Sequence, residues 1–338
     1  MPKVSVVMPV FNSSEWIAEA ISSVRAQSLP EFELIIVDDG STDQTDLLIA
    51  NATRDDARIR TVRQDRLGVA AALNCGNALA RSPIIARMDG DDIADPDRLR
   101  KQLSFLEAHP GVAAVGSWAH VIDERGRRTG ERRPETEPSA LQSLLAKTNP
   151  FIHSSMMLWA EAVRGVGGYR AALEGAEDYD LWLRISEQAQ LANLPEFLLS
   201  YRRHSASASA TAAPRQLLSA RLARLSAAER RASRSDFIDT LGVPVQLTAL
   251  RRRDELHATA ELYELLGRPA NGPIEARDLR ALGRADLDHA ERKLAQSWLK
   301  GLLESQRDWT TRSAVLYWLL LLHPPRGLSL VWSMLRGR

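Results

Sequence analysis

The stretch "SPIIARMDGDDIADPDRL", residues 82 to 99, governs how the rest of the chain is read. An apolar run from Pro83 to Met88 stops at Asp89, Asp91 and Asp92, with Asp95 and Asp97 close behind. Carboxylates so close together repel one another and are costly to take out of water. The run before them is short and bounded by turn residues, which is strand-like. "DPDRLRKQLSFLEAHP" after them opens a helix, with Pro96 in its first turn. The unit is therefore strand, acidic turn, helix.

Working outward, the same unit recurs. "KVSVVMPVF" predicts a strand, and "SSEWIAEAISSVRAQS" a helix with Ser13 or Ser14 as cap and Trp16, Ala20, Ile21 and Val24 at helical spacing. "FELIIVDDGS" is a second strand, "TDQTDLLIANAT" a helix, "RIRTVRQD" a third strand and "GVAAALNCGNALARS" a helix. "PIIARMD" is the fourth strand and "VAAVGSWAHVID" the fifth. Near-continuous apolar strands alternating with helices predict an α/β fold, a mostly parallel sheet covered on both faces. Ligands of such sheets bind outside the carboxyl ends of the strands. Asp38-Asp39 ends one strand and Asp89-Gly90-Asp91-Asp92 another, so two acidic clusters are expected on one edge.

Past residue 124 the pattern loosens. "ERGRRTGERRPETEP" reads as a surface loop or hairpin, "SALQSLLAKTN" as a helix, "FIHSSMMLW" as a strand and "AEAVRGVGGYR" as a loop. "AEDYDLWLRISEQA" is a helix, "LANLPEFLLSYRRH" a late strand, and "SASASATAAP" a boundary or flap of small residues. Beyond Pro214 the chain is Arg-, Leu- and Ala-rich and helical in pattern.

Composition narrows the classes. With 338 residues and 44% hydrophobic content, the chain can bury a large core. A net charge of +1 implies no field for nucleic acid. A lone cysteine, Cys75, rules out an intrachain disulfide framework and suits a reducing cytosol. "MPKVSVVMPVF" is too short and strand-like for a signal peptide, and no stretch reaches the ~20 apolar residues that span a bilayer.

Acids gathered at a ligand edge call for a partner. A hard divalent cation, Mg²⁺ or Mn²⁺, is held by one or two carboxylates together with phosphate oxygens. Such a cation, bridging a diphosphate, turns the repulsion into attraction.

The segments "VSVVMPVFN", "ELIIVDDGSTDQT", "LGVAAALNCGNALA", "IARMDGDDIADPDRL", "GGYR", "AEDYDLWLRI" and "YRRHSASAS" resemble, in this order, the family 2 glycosyltransferases of GT-A fold, over roughly residues 3 to 210. The resemblance implies a catalytic domain over residues 1–210, followed by a helical region over 211–338. It implies an inverting, metal-dependent enzyme that moves a sugar from a nucleotide-diphosphate donor, a UDP-sugar first, to an acceptor hydroxyl in bacterial cell-surface glycan synthesis.

The roles follow by matching position. Pro9, Phe11 and Asn12 match the turn that holds the donor base, and Asp39, supported by Asp38, matches the pyrimidine-binding acid. Gly68 and Asn74 match the segment beneath ribose and diphosphate. Leu73 stands where many members carry an arginine; Arg66 is the candidate substitute. Asp89 matches a ribose or metal contact and Asp91 the metal ligand, with Gly90 in a turn needing unusual backbone angles and Asp92 behind them. His204 matches a third metal ligand. Arg202 or Arg203 is a candidate for neutralising diphosphate charge. Asp178 matches the base that takes the acceptor proton; Glu177 and His153 match the acceptor side. Trp182 is expected in the core.

The tail "WTTRSAVLYWLLLLHPPRGLSLVWSMLRGR" combines Trp309, Trp318 and Trp332 with terminal arginines. It suits peripheral contact with the inner face of the cell membrane by a cytoplasmic protein acting on lipid-linked acceptors; packing on the catalytic domain or in a homodimer is the competing expectation. Two rivals frame the function: a sugar-1-phosphate nucleotidyltransferase, and a nucleotide-sugar-binding protein with a degenerate site.

Overall fold

The computed structural model describes residues 1–204, 213–267 and 287–305, with positions 282 and 315. The small-residue stretch 205–212 and, Val315 apart, the segment 309–338 lie outside the described residues, and so do the expectations placed on them. The chain divides into two compact units, residues 1–212 with 219–236, and residues 213–218 with 237–338.

The first unit is built on a nine-stranded sheet. Strands β1 (Val4–Val10), β2 (Phe32–Asp38), β3 (Ile59–Arg63) and β4 (Ile84–Arg87) are parallel, in the order β3-β2-β1-β4. The sheet continues through a short antiparallel β8 (Met157–Trp159) to β6 (Val112–Ile122), then β9 (Gln190–Arg202) parallel to β6, and ends at the two-residue β5 (Ile93–Ala94). β7 (Arg128–Arg132) folds back antiparallel on β6 as the second arm of a hairpin. The helices are α1 (Ile17–Arg25), α2 (Thr45–Thr53), α3 (Val69–Leu79), α4 (Arg98–Ala108), α5 (Pro138–Leu145), α6 (Ala160–Gly165), α7 (Glu177–Ile185) and α8 (Ala213–Arg231).

The two faces of the sheet can be read from β2. Leu34 and Ile36 join a core with Val6 and Met8 of β1, Ile17 and Ile21 of α1, and Leu99 and Leu103 of α4. Ile35 and Val37, one residue out of step, pack on Ala72 of α3. This is the period-2 alternation of a strand buried on both sides. Each fully buried Ile or Leu contributes roughly 1.5–3 kcal/mol relative to an exposed one. Trp182 is fully buried in α7, as expected of a core residue.

Several local expectations are corrected. Residues 160–165 form the helix α6 rather than a loop, and "FIHSSMMLW" is a 3₁₀ turn at His153–Ser155 before a strand of only three residues. Neither Ser13 nor Ser14 caps α1 through its hydroxyl: the Ser13 carbonyl accepts from Trp16 and Ile17, and the amides of both serines donate to Thr45 Oγ1 and Asp43 of the neighbouring turn. Gly90 does not adopt a left-handed φ. Glycine is needed there for space, since a Cβ would come within 2.8 Å of Val10 Cγ1 and 3.3 Å of Ile17 Cδ1.

The second unit contributes α9 (Leu247–Arg251), α10 (Asp254–Leu266) and α11 (His289–Ser305), and no strand among its described residues. Leu262, Leu266, Leu299 and Val315 form its core. Among the described residues, no helix is long and apolar enough to cross a membrane.

Candidate active site

Because β1 pairs in parallel with both β2 and β4, the carboxyl ends of all three lie on one edge. At the end of β4, carboxylate oxygens of Asp89, Asp91 and Asp92 all lie within 4.8 Å of one another. His204 Nε2 is 2.9 Å from Asp91 Oδ2, so the end of β9 brings the imidazole to the same corner. Three oxygens and one nitrogen are a hard donor set that suits Mg²⁺ or Mn²⁺. Asp92 is buried and accepts from the Arg202 amide at 2.8 Å. Burial, and then the charges of Asp91 and Asp89, push its carboxyl well above the usual range.

Asp89 is tied from two sides. Its amide donates to Ser154 Oγ at 2.9 Å, and its carboxylate pairs with Arg87. Burial raises the Asp89 carboxyl against the pull of Arg87, and the charges of Asp91 and Asp178 raise it further. Arg87 itself is 5% exposed. Burial opposes its charge, and Asp89 more than restores it. Beneath it Arg98, pulled down to about 9 by burial, donates from Nη2 to the Arg87 carbonyl at 2.6 Å.

Asp178 sits in the first turn of α7, half-buried. Its Oδ2 accepts from Asn149 Nδ2 at 2.7 Å and its Oδ1 from the Tyr179 amide at 2.7 Å. Burial raises this carboxyl, while those two donors and Arg87 hold it back. Next to it, Glu177 is pushed up to about 7 by burial and by the Asp178 charge. His153 Nε2 lies 3.0 Å from the Tyr169 hydroxyl, and burial together with Arg87 holds this imidazole well below its ordinary value. Arg87 thus acts electrostatically on both the acidic corner and the Asp178 side, and the Asp178 charge is felt at Asp89.

The corner after β2, where the donor base is expected, is built differently. Asp39 accepts from Gln64 Nε2 at 2.7 Å and from the Leu67 and Gly68 amides at 2.9 Å each. Asp38 pairs with Arg63 and accepts from the Ser41 amide at 2.9 Å. Asn12, at φ 47°, accepts the Thr42 amide, and Arg66 lies over the Phe11 ring and 3.7 Å from Asp39. Pro9 lies inside β1, paired with Val37. Gly68 starts α3. The Asn74 side chain is taken up by the backbone of Tyr169, donating to its carbonyl at 2.8 Å and accepting its amide at 2.9 Å. Asn74 therefore fixes the 167–169 loop. The Arg202 guanidinium is likewise committed within the chain: it donates to the carbonyls of Asp91, Asp123 and Glu124 and to Glu19.

Sequence reading missed Arg87, Asn149 and Ser154. The only signal for Arg87 was a charged residue closing an apolar strand, and for the other two there was none.

Comparison with known proteins supplies the family and the fold. Residues 5–165 match the family model described as glycosyl transferase family 2. EpsE of Bacillus subtilis (strain 168) is 40% identical over 211 residues, covering 60% of this chain and 74% of that protein. The amylovoran biosynthesis glycosyltransferase AmsE of Erwinia amylovora is 34% identical over 204 residues, 59% of this chain and 75% of that protein. Among solved structures, S. aureus TarS 1-349 with UDP-GlcNAc superposes with TM-score 0.57 at 14% identity, over 97% of this chain and 92% of that one. The mannosyltransferase PcManGT of Pyrobaculum calidifontis, with GDP-Man and Mn²⁺, superposes with TM-score 0.52 at 22% identity, over 95% and 86%. The fold is the GT-A type expected from the motifs. On this combined ground of sequence and architecture, the chain belongs to glycosyl transferase family 2.

Proposed function

We propose that the chain is a metal-dependent, inverting glycosyltransferase that moves a sugar from a nucleotide diphosphate, a UDP-sugar first, to a hydroxyl of a growing cell-surface glycan. One observation carries the reading: a half-buried carboxylate, Asp178, is oriented by Asn149 in the same electrostatic field as the Asp89–Asp91–Asp92 corner. Residues 1–210 form the catalytic domain in this reading. UDP-GlcNAc in TarS, and GDP-Man with Mn²⁺ in PcManGT, support the donor class and the cation. The biosynthetic role named for AmsE supports the acceptor class. A cytoplasmic, membrane-peripheral placement rests on Trp309, Trp318, Trp332 and the terminal arginines.

Asp89, Asp91 and His204 would hold the cation, with Asp92 behind them, and a cation bound there would supply positive charge to the departing diphosphate. Asp178 accepts the proton of the acceptor hydroxyl as that oxygen bonds to the anomeric carbon. The bond to the diphosphate oxygen breaks on the opposite face and the nucleotide keeps the electron pair, so the configuration inverts. Asn149 holds the carboxylate in place, and Arg87 favours its ionised form.

The test is a panel of UDP- and GDP-sugars, with and without Mn²⁺, read as nucleotide diphosphate release and product anomeric configuration. Asp178→Asn is expected to lower kcat by about 10²–10⁴-fold while leaving Mn²⁺ binding intact. Retained configuration in the product, or full turnover by Asp178→Asn, would sink the reading.

A further inference from the structure

Trp16 entered the sequence reading only as an apolar position of the first helix. In the fold it closes the outer side of the acidic corner. Its indole lies on the His204 imidazole, with ring centroids 4.1 Å apart and planes 34° from parallel. Its Nε1 donates to the Glu124 carbonyl at 3.2 Å. That carbonyl also accepts from Arg202 Nη1 at 3.2 Å, and the Arg202 guanidinium stands 5.9 Å from the indole centre. Arg202 in turn holds the Asp91 carbonyl from Nε at 2.7 Å, and its amide donates to Asp92. The residue before α1, the β6–β7 turn, the acidic corner and the end of β9 are thus joined around one imidazole.

We propose that Trp16 is a positioning residue for the cation site, holding the His204 ring so that Nε2 stays turned toward Asp91. The proposal rests on the metal reading above. The physical reason is rotameric. A free histidine side chain samples several χ1 and χ2 wells, and a ligand that must first be ordered binds more weakly. The indole face removes that freedom beforehand, and its negative π-cloud favours a ring that gains positive character on ligating a cation. The Glu124 carbonyl fixes the indole itself, and Arg202 fixes that carbonyl. Groups that orient a ligand in this way are typically worth about 10–100-fold in metal affinity.

The test uses the whole chain, with no donor present, and reads Mn²⁺ affinity by titration calorimetry and by the EPR signal of free Mn²⁺. Trp16→Ala and Trp16→Leu are each expected to weaken Mn²⁺ binding about tenfold, the second keeping apolar bulk without a ring face. Trp16→Phe keeps a ring and is expected to stay within about threefold of wild type. The deciding measurement is the cycle with His204→Ala, in which Trp16→Leu should change affinity by less than about twofold. Melting curves in EDTA verify that each variant folds. If Trp16→Leu weakens Mn²⁺ equally with and without His204, the proposal is overturned while the metal reading stands. If wild type takes up no Mn²⁺, the metal reading fails and the proposal falls with it.

Discussion

Two acidic corners stand side by side on the carboxyl edge of this sheet, one after β2 and one after β4. Their composition is almost the same and their chemistry is opposite. At the first, Asp38 and Asp39 spend their oxygens on the chain's own donors: Arg63, the Ser41 amide, Gln64 and the amides of Leu67 and Gly68. The result is a finished wall, in which the carboxylates define the 64–68 loop. At the second, three carboxylates crowd together, and burial and mutual repulsion lift Asp89 and Asp92 above the usual range. Arg87 and His204 offset part of that charge. The two corners therefore differ in how far the chain itself partners their acids, and crowded acids short of partners are where a cation is best accommodated.

The sharpest break of this comparison is a paired substitution. Asp91→Asn should cut kcat/KM by about 10³-fold or more and leave the metal-free melting temperature unchanged or higher, since it removes repulsion. Asp38→Asn should do the reverse, costing about 1–3 kcal/mol of stability through its lost charged hydrogen bonds while Mn²⁺ affinity holds. Equal effects on both readouts would erase the distinction between the corners.

A second measurement sharpens it. Mn²⁺ at about 100 times its Kd should stabilise the protein by about 2.7 kcal/mol, read as an upward shift of several degrees in Tm. The shift should vanish in Asp91→Asn and persist in Asp38→Asn. An unchanged shift in Asp91→Asn would place the cation elsewhere.

The smallest effect is in pH. Asp178 must be ionised to accept a proton, and its carboxyl is raised by burial. Glu177, neighbour to it, is pushed up to about 7. Activity should therefore rise with pH along an acid limb belonging to the pair. Glu177→Gln removes one of the two charges and should move that limb to lower pH. In stability the sign is opposite. Glu177 is raised above its ordinary 4.5, so its contribution is full below that value and is lost as pH rises through about 7. The Gln variant should lose that slope in its melting curves.

Much of the parallel half was legible because its signals are local. Apolar runs ending in Asp38 and Asp89 and helices at period 3.6 are each written within about a dozen residues of chain. Pro96, expected in the first turn of α4, instead precedes its Asp97 N-cap. The far half of the sheet was not legible. The insertion of β8 between β4 and β6, and the seating of two-residue β5 against β9, depend on pairings between distant residues such as Ala114 with Leu158, Ile84 with Trp159 and Ile93 with Ser200. Site residues divide the same way. Asp91 and Asp178 were named by motif, but the sequence does not say which way a long side chain points. Arg202 and Arg87 are both arginines at strand ends; one is spent on carbonyls and Glu19, and the other pairs with Asp89 of the acidic corner. Sequence reading named the first and passed over the second.

The clasp between Asn74 and the 167–169 loop has a further bearing. Gly168 sits at φ +77°, and a Cβ there would come within 2.6 Å of Asn74 Oδ1. The 167–169 loop is thus keyed to a helix 95 residues earlier in the chain. It cannot be transplanted as a cassette alone: a grafted 166–170 segment needs its own α3 partner and a glycine at 168, or it will arrive in a chassis that does not hold it.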